Sequence, residues 1–173
     1  MVEAAIFVIF PFCMVYAALS DMVSMTIANR VSVILALAFA VLAPFTGMEW
    51  SAYAWHFAAG GIVFAGAFGL FAIGAMGGGD AKLLAATAVW MGFDYQLMAY
   101  LLVSTILGGM LTLALVIYRN SPLSFFTGRI GLLRHFADQK AGIPYGVALG
   151  IGGLMSYPAS PLMLWATSRL LTG

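Results

Sequence analysis

Six apolar runs divide the chain, and they restrict it to a small set of folds. The runs are Ala4–Leu19, Val31–Phe45, Phe57–Met76, Ala81–Phe93, Leu97–Tyr118 and Ile143–Trp165. Lipid offers no hydrogen bonds to the backbone, so apolar segments of this kind cross a membrane as helices. With 64% hydrophobic and 8% charged residues, the chain is predicted to be one all-α, polytopic membrane domain, residues 1–173, with about six transmembrane helices.

The fourth run is shorter than the others. At about 1.5 Å per residue, the 13 residues of Ala81–Phe93 cover roughly 20 Å, less than a ~30 Å hydrocarbon core. Either the bilayer is thinner there, or the helix starts inside the membrane with the preceding glycine segment below the surface. In the second case, the glycine segment must lie in a protein-lined cavity.

The basic residues predict the orientation. If the N-terminus is periplasmic, six of the seven basic residues share the other face, which is then cytoplasmic, and only Arg169 lies opposite. The six are Arg30, Lys82, Arg119, Arg129, Arg134 and Lys140. The longest polar segment, at about 119–142, carries Phe126, Ile130 and Leu133 at helical spacing, which favours an amphipathic helix on the cytoplasmic membrane surface.

Small residues recur at helical spacing in two of the runs. Gly61, Ala65 and Gly69 repeat every four residues in the third run, and Gly146 and Gly150 do so in the sixth. Such spacing lets helices approach each other closely. Both stripes are therefore predicted to face another helix.

The segment Ala75–Leu84 places an aspartate and a lysine at the edge of apolar sequence. It reads AMGGGDAKLL, with Gly77, Gly78 and Gly79 directly before Asp80. An ionisable side chain at this depth is costly and marks a candidate functional site. The alternative for Asp80 is an N-cap of the short fourth helix, and Lys82 either neutralises Asp80 or extends to the lipid head groups.

A second aspartate, Asp21, ends the first run on the same predicted side. Two carboxylates held close together share a proton, so that one can activate water while the other protonates a carbonyl oxygen. This chemistry needs no cofactor. The alternative for Asp21 is an interfacial residue at the end of a helix.

Other kinds of site have little support. The net charge of +1 argues against a nucleic-acid partner. Cys13 has no second cysteine to pair with, and His56 and His135 are far apart with no paired ligands near either. A metal site is therefore not expected.

Three motifs in order resemble those of the type IV prepilin peptidases, a family of intramembrane aspartic proteases. Gly77–Asp80 with Lys82 is similar to its GxGD-x-K motif. Asp21 followed eight residues on by Asn29 is similar to its first motif, except that Ala28 stands where proline is usual. Ile143-Pro144-Tyr145-Gly146 resembles its Ile-Pro-aromatic-Gly segment.

The resemblance implies a membrane-embedded aspartic endopeptidase of the bacterial inner membrane. It implies that Asp21 and Asp80 are catalytic, and that Gly77, Gly78, Gly79, Lys82, Asn29 and Pro144 shape the site. The substrates would be prepilins, cleaved after a glycine at the cytoplasmic face, with the substrate's apolar helix beside the enzyme. Because the chain starts at its first helix and has one cysteine, we expect the peptidase-only branch that serves tight-adherence (Flp-type) pili. Two other classes stay open: a proton- or ion-coupled transporter, and a non-catalytic pilus-assembly protein.

Overall fold

The computed structural model describes residues 1–122, 124, 134–138 and 142–172, and the regular structure in these ranges is helical. This confirms the all-α class. The helices are α1 Val2–Ser24, α2 Asn29–Leu42, α3 Trp50–Ala72, α4 Gly78–Met91, α5 Tyr95–Arg119, α6 Tyr145–Ser156 and α7 Pro161–Thr172. A single helical turn lies at Arg134–Ala137.

Four helical segments within the described ranges are long and apolar enough to cross a membrane. They are α1, α2 with its 3₁₀ extension (Asn29–Thr46), α3 and α5. A fifth crossing results if α6 and α7, bent by 48° at their junction, form one broken span. The chain is thus a multi-pass membrane protein, and this criterion gives four or five spans where the sequence predicted six.

The sixth predicted helix is in fact two helices. The α-helical hydrogen bonding ends at Ser156, and Tyr157–Ala159 forms a 3₁₀ turn. Pro158 lies in this turn and has no backbone N–H to continue the helix. The prediction of one continuous helix over Ile143–Trp165 was therefore wrong.

The short helix α4 is the centre of the molecule. Ten of its 14 residues are buried, and the helices that it packs against include α2, α3 and α6. The Trp90 indole is fully buried and donates a hydrogen bond to the Leu35 carbonyl at 2.9 Å. Since α4 is enclosed by protein, it does not need the length of a lipid-facing span.

The small residues of α6 pack as predicted, while those of α3 do not. A Cβ on Gly150 would lie 2.9 Å from the Met14 carbonyl oxygen of α1. On α3 it is Gly60 that faces α4, because a Cβ there would overlap Val89 Cγ2. A Cβ on Gly61 or Gly69 would meet nothing within 4 Å, so the prediction that the stripe of Gly61, Ala65 and Gly69 packs against another helix was wrong within the described residues.

The polar segment after α5 is described only in part. The predicted surface helix with Phe126, Ile130 and Leu133 lies outside the described residues. Of the described part, the Arg119 guanidinium donates to the carbonyls of Phe136 at 3.0 Å and Gly142 at 2.8 Å. These bonds fasten the chain before α6 to the end of α5.

Candidate active site

Asp21 lies in the last turns of α1 and is held by the start of α6. Its side chain is 5% exposed, and Oδ2 accepts a hydrogen bond from the Gly146 N–H at 2.7 Å. Pro144 is the N-cap of α6, so the Gly146 N–H is one of the first amides of the helix, which have no partner within it. The positive end of the helix dipole thus points at the carboxylate. Asp21 is therefore buried within the protein, in the last turn of α1.

Asp80 lies in the first turn of α4, with Gly77 at the N-cap. The aspartate is thus at the third helical position, so the N-cap interpretation was wrong by three residues. Asp80 is 8% exposed, and its Oδ1 has no hydrogen-bond partner. A buried carboxylate oxygen without a partner is costly and is available to a substrate or to water.

The two aspartates line the same pair of adjoining cavities. One cavity, of ≈ 250 Å³, lies between the Met25–Ile27 loop and the three glycines. The other, of ≈ 440 Å³, lies towards Arg119 and Tyr145. Both cavities are lined by Asp21 and Asp80, and the two carboxylates are near enough to repel each other electrostatically. Residues 59 positions apart in sequence thus meet at one end of the helix bundle, which we call the aspartate end.

The three glycines allow close packing of the protein on itself. A Cβ on Gly77 would lie 2.6 Å from Asp80 Oδ2, and a Cβ on Gly79 would lie 3.2 Å from Ile27 Cβ. A Cβ on Gly78 would lie 3.3 Å from the Phe71 ring. Gly79 therefore lets the loop after α1 approach α4, which brings the two aspartates together.

Lys82 and Asn29 contact each other beside this site. The Lys82 ammonium donates to Asn29 Oδ1 at 2.9 Å, and among the described residues no carboxylate forms an ion pair with it. Ala28, before Asn29, has φ of −66°, which is the value that proline imposes. The turn thus has the same backbone shape without proline.

Several residues that border the site were not singled out from the sequence as site residues, and Met25 and Arg119 are two of them. Met25 lines both cavities. Its φ is positive (52°), and no other non-glycine residue in the described ranges has a positive φ. Arg119 lines the larger cavity. Its position at the end of a long apolar helix was a signal for Arg119, whereas nothing local marks Met25.

Within the described ranges, no three His, Cys, Asp or Glu side chains come together as a metal site. The site is thus built from two carboxylates, backbone amides and glycines.

Comparison with known proteins identifies the family. The sequence profile of the type IV leader peptidase family matches residues 8–113, well over half of the chain. The chain belongs to this family. The match includes Asp21 and Asp80 and ends before Pro144. No curated protein and no solved structure matches the chain significantly. Membership of the type IV leader peptidase family makes the protein a membrane-embedded peptidase.

Proposed function

We propose that the protein is an aspartic endopeptidase that removes the leader of type IV, Flp-like prepilins after a glycine, at the cytoplasmic face of the bacterial inner membrane. The observation that carries the proposal is the shared burial of Asp21 and Asp80 around one pair of cavities in a chain of this family. Six membrane crossings and a periplasmic N-terminus belong to the proposal, and so does a single peptidase domain with a surface helix at about 119–142.

The hydrogen bonds support different roles for the two carboxylates. Asp21 accepts the Gly146 N–H at a helix N-terminus, and such a donor favours the ionised form. Asp21 is therefore the general base that takes a proton from water. Asp80 also has the Gly77 amide beside its carboxyl group, but its Oδ1 is buried without a partner. That cost to the ionised form makes Asp80 the protonated acid.

The reaction then follows the proton-sharing chemistry of a carboxylate pair. Hydroxide attacks the scissile carbonyl carbon while Asp80 gives its proton to the carbonyl oxygen. The tetrahedral diol intermediate collapses as the C–N bond breaks. The proton held by Asp21 passes to the leaving nitrogen, and one diol hydroxyl returns its proton to Asp80, which restores the starting pair. The two cavities, on either side of the pair, leave room for an extended peptide.

The test is the removal of each carboxylate at constant size. Asp21→Asn and Asp80→Asn should each lower cleavage of a tight-adherence prepilin, co-reconstituted in liposomes, by at least about 100-fold. The double variant should be no slower than the slower single variant, since the pair acts as a unit. Product formation is measured by gel shift and mass spectrometry.

The matched control is Asp94→Asn. Asp94 is the N-cap of α5 and accepts from the Tyr95 N–H at 2.7 Å, and asparagine caps about as well as aspartate. Asp94→Asn should therefore cleave at the wild-type rate. Wild-type cleavage by a folded Asp21→Asn or Asp80→Asn variant would contradict the proposed dyad.

A further inference from the structure

An apolar groove of ≈ 590 Å³ lies between α2, α3 and α4. Each helix contributes one face over two turns, with lining residues at i, i+3, i+4 and i+7: from Asn29 to Ala36, from Phe57 to Phe64, and from Lys82 to Val89. Three parallel stripes of this kind form a channel about 10 Å long. Its shape fits a helix.

Small side chains keep the groove open. Ala36, Ala85 and Gly61 lie along it, and a Cβ on Gly61 would meet nothing within 4 Å. Small residues allow a helix backbone to approach closely. The stripe beginning at Gly61 finds no partner within the described chain, although its spacing is that of a helix interface.

A polar group in the groove indicates what fills it. Ser32 lines the groove and is 8% exposed, and its Oγ has no hydrogen-bond partner. A hydroxyl left unpaired in apolar surroundings is costly. A lipid acyl chain offers it no hydrogen bond, whereas a polypeptide offers carbonyl oxygens and polar side chains. The occupant with matching chemistry is therefore a peptide segment.

The groove begins next to the candidate active site along α2 and α4. Ile27 and Gly79 form part of the wall of the smaller cavity beside Asp80 and pack against each other. Asn29 and Lys82, two and three residues further on, contact each other at the mouth of the groove. A few residues of extended chain, at about 3.3 Å each, reach from the cavity to the groove.

We infer that this groove binds the apolar helical segment of the substrate that adjoins the scissile bond. The inference rests on the proposed peptidase function. The groove holds the substrate helix against α2, α3 and α4, while the extended residues before it pass over Ile27 and Gly79 to the aspartates.

The first test fills the groove. Gly61→Leu places a side chain in open space inside the groove, and Gly66→Leu makes the same change on α3 outside it, where a Cβ also meets nothing within 4 Å. For a tight-adherence prepilin in liposomes, Gly61→Leu should raise KM at least tenfold with kcat within twofold of wild type. Gly66→Leu should leave both constants within twofold.

Three kinetic results would overturn the inference. They are an unchanged KM in Gly61→Leu, a fall in kcat alone, and equal losses in both variants. An unchanged KM means that lipid fills the groove. A fall in kcat alone places the effect on the reacting groups, and equal losses in both variants place it on α3 itself.

The second test locates the substrate by disulfide cross-linking. Ala36 lines the groove, whereas Leu37, the next residue of α2, is exposed outside it. The variants Ala36→Cys and Leu37→Cys are each made together with Cys13→Ala. A prepilin with single cysteines along its apolar segment should cross-link to Ala36→Cys at positions three or four residues apart, and not to Leu37→Cys. Absence of cross-links at Ala36→Cys, or equal cross-linking at both sites, would overturn the inference.

The wild-type protein separates the two proposals. If the wild type does not cleave the prepilin, the proposed function fails. If it cleaves the prepilin but Ala36→Cys forms no cross-link, only the groove assignment fails.

Discussion

At the residue scale, Gly146 has two roles. Its backbone N–H donates a hydrogen bond to Asp21, and its lack of a side chain leaves room for Asp21 and Ile27. Its N–H donates to Asp21 Oδ2 at 2.7 Å. A Cβ on the same residue would lie 2.8 Å from Asp21 Cβ and 2.7 Å from Ile27 Cδ1. A side chain there would push α6 away from the carboxylate and lengthen the hydrogen bond.

Gly146→Ala is therefore expected to lower prepilin cleavage at least about tenfold, equivalent to about 1.4 kcal/mol in the activation free energy. The control is Gly109→Ala on α5, where a Cβ meets nothing within 4 Å; it should cleave at the wild-type rate. Cleavage is measured in liposomes, with circular dichroism to verify folding. Equal rates for Gly146→Ala and wild type would mean that the Asp21 hydrogen bond is unimportant.

At the scale of elements, α4 is held by contacts that tolerate no added volume. Gly60 on α3 lies against Val89 and the Ala85 carbonyl oxygen of α4. Gly61, one residue on, has open space beyond its Cα. Both glycines border the groove, but Gly60 packs closely against α4 while Gly61 faces open space.

This contrast predicts opposite effects on stability. Gly60→Ala should lower the free energy of unfolding by about 1–3 kcal/mol, because the added methyl group overlaps Val89. Gly61→Ala should leave it unchanged or raise it by up to about 1 kcal/mol, because alanine favours helix. Thermal unfolding in detergent micelles measures both. A Gly60→Ala variant as stable as Gly61→Ala would show that α3 and α4 do not pack as described.

At the scale of the whole molecule, the site gathers at one end of the bundle. The ends of α1, α3 and α5 and the starts of α2, α4 and α6 meet around Asp21 and Asp80. Glu49 and Asp94 are the N-cap residues of α3 and α5 at the other end. The orientation of these two ends in the membrane decides which side a substrate leader must approach.

The positive-inside rule predicts that the aspartate end is cytoplasmic. A reporter fused at about residue 119 should then read as cytoplasmic, and one fused at Glu49 as periplasmic. Alkaline phosphatase and green fluorescent protein fusions at both sites measure this. Reversed readings would place both aspartates on the wrong side of the membrane for a cytoplasmic leader and would exclude prepilins as the substrate.

Local patterns in the sequence determined much of the molecule. Hydropathy determined that the chain is helical and lies in a membrane, because only a helix pairs its own backbone groups in lipid. The spacing around Asp21 and Asp80 identified the family, which the profile match supports. These features depend on residues near one another in sequence.

Tertiary structure alone decided how the pieces meet. The contact between Asp21 and Gly146 spans 125 residues. The choice of Gly60 over Gly61 as the packing residue of α3 depends on a rotation of about 100° between neighbours. Both neighbours are glycines, so residue size at these two positions could not decide it. Only the packing of α3 against Val89 and Ala85 determines which glycine contacts α4 and which faces open space.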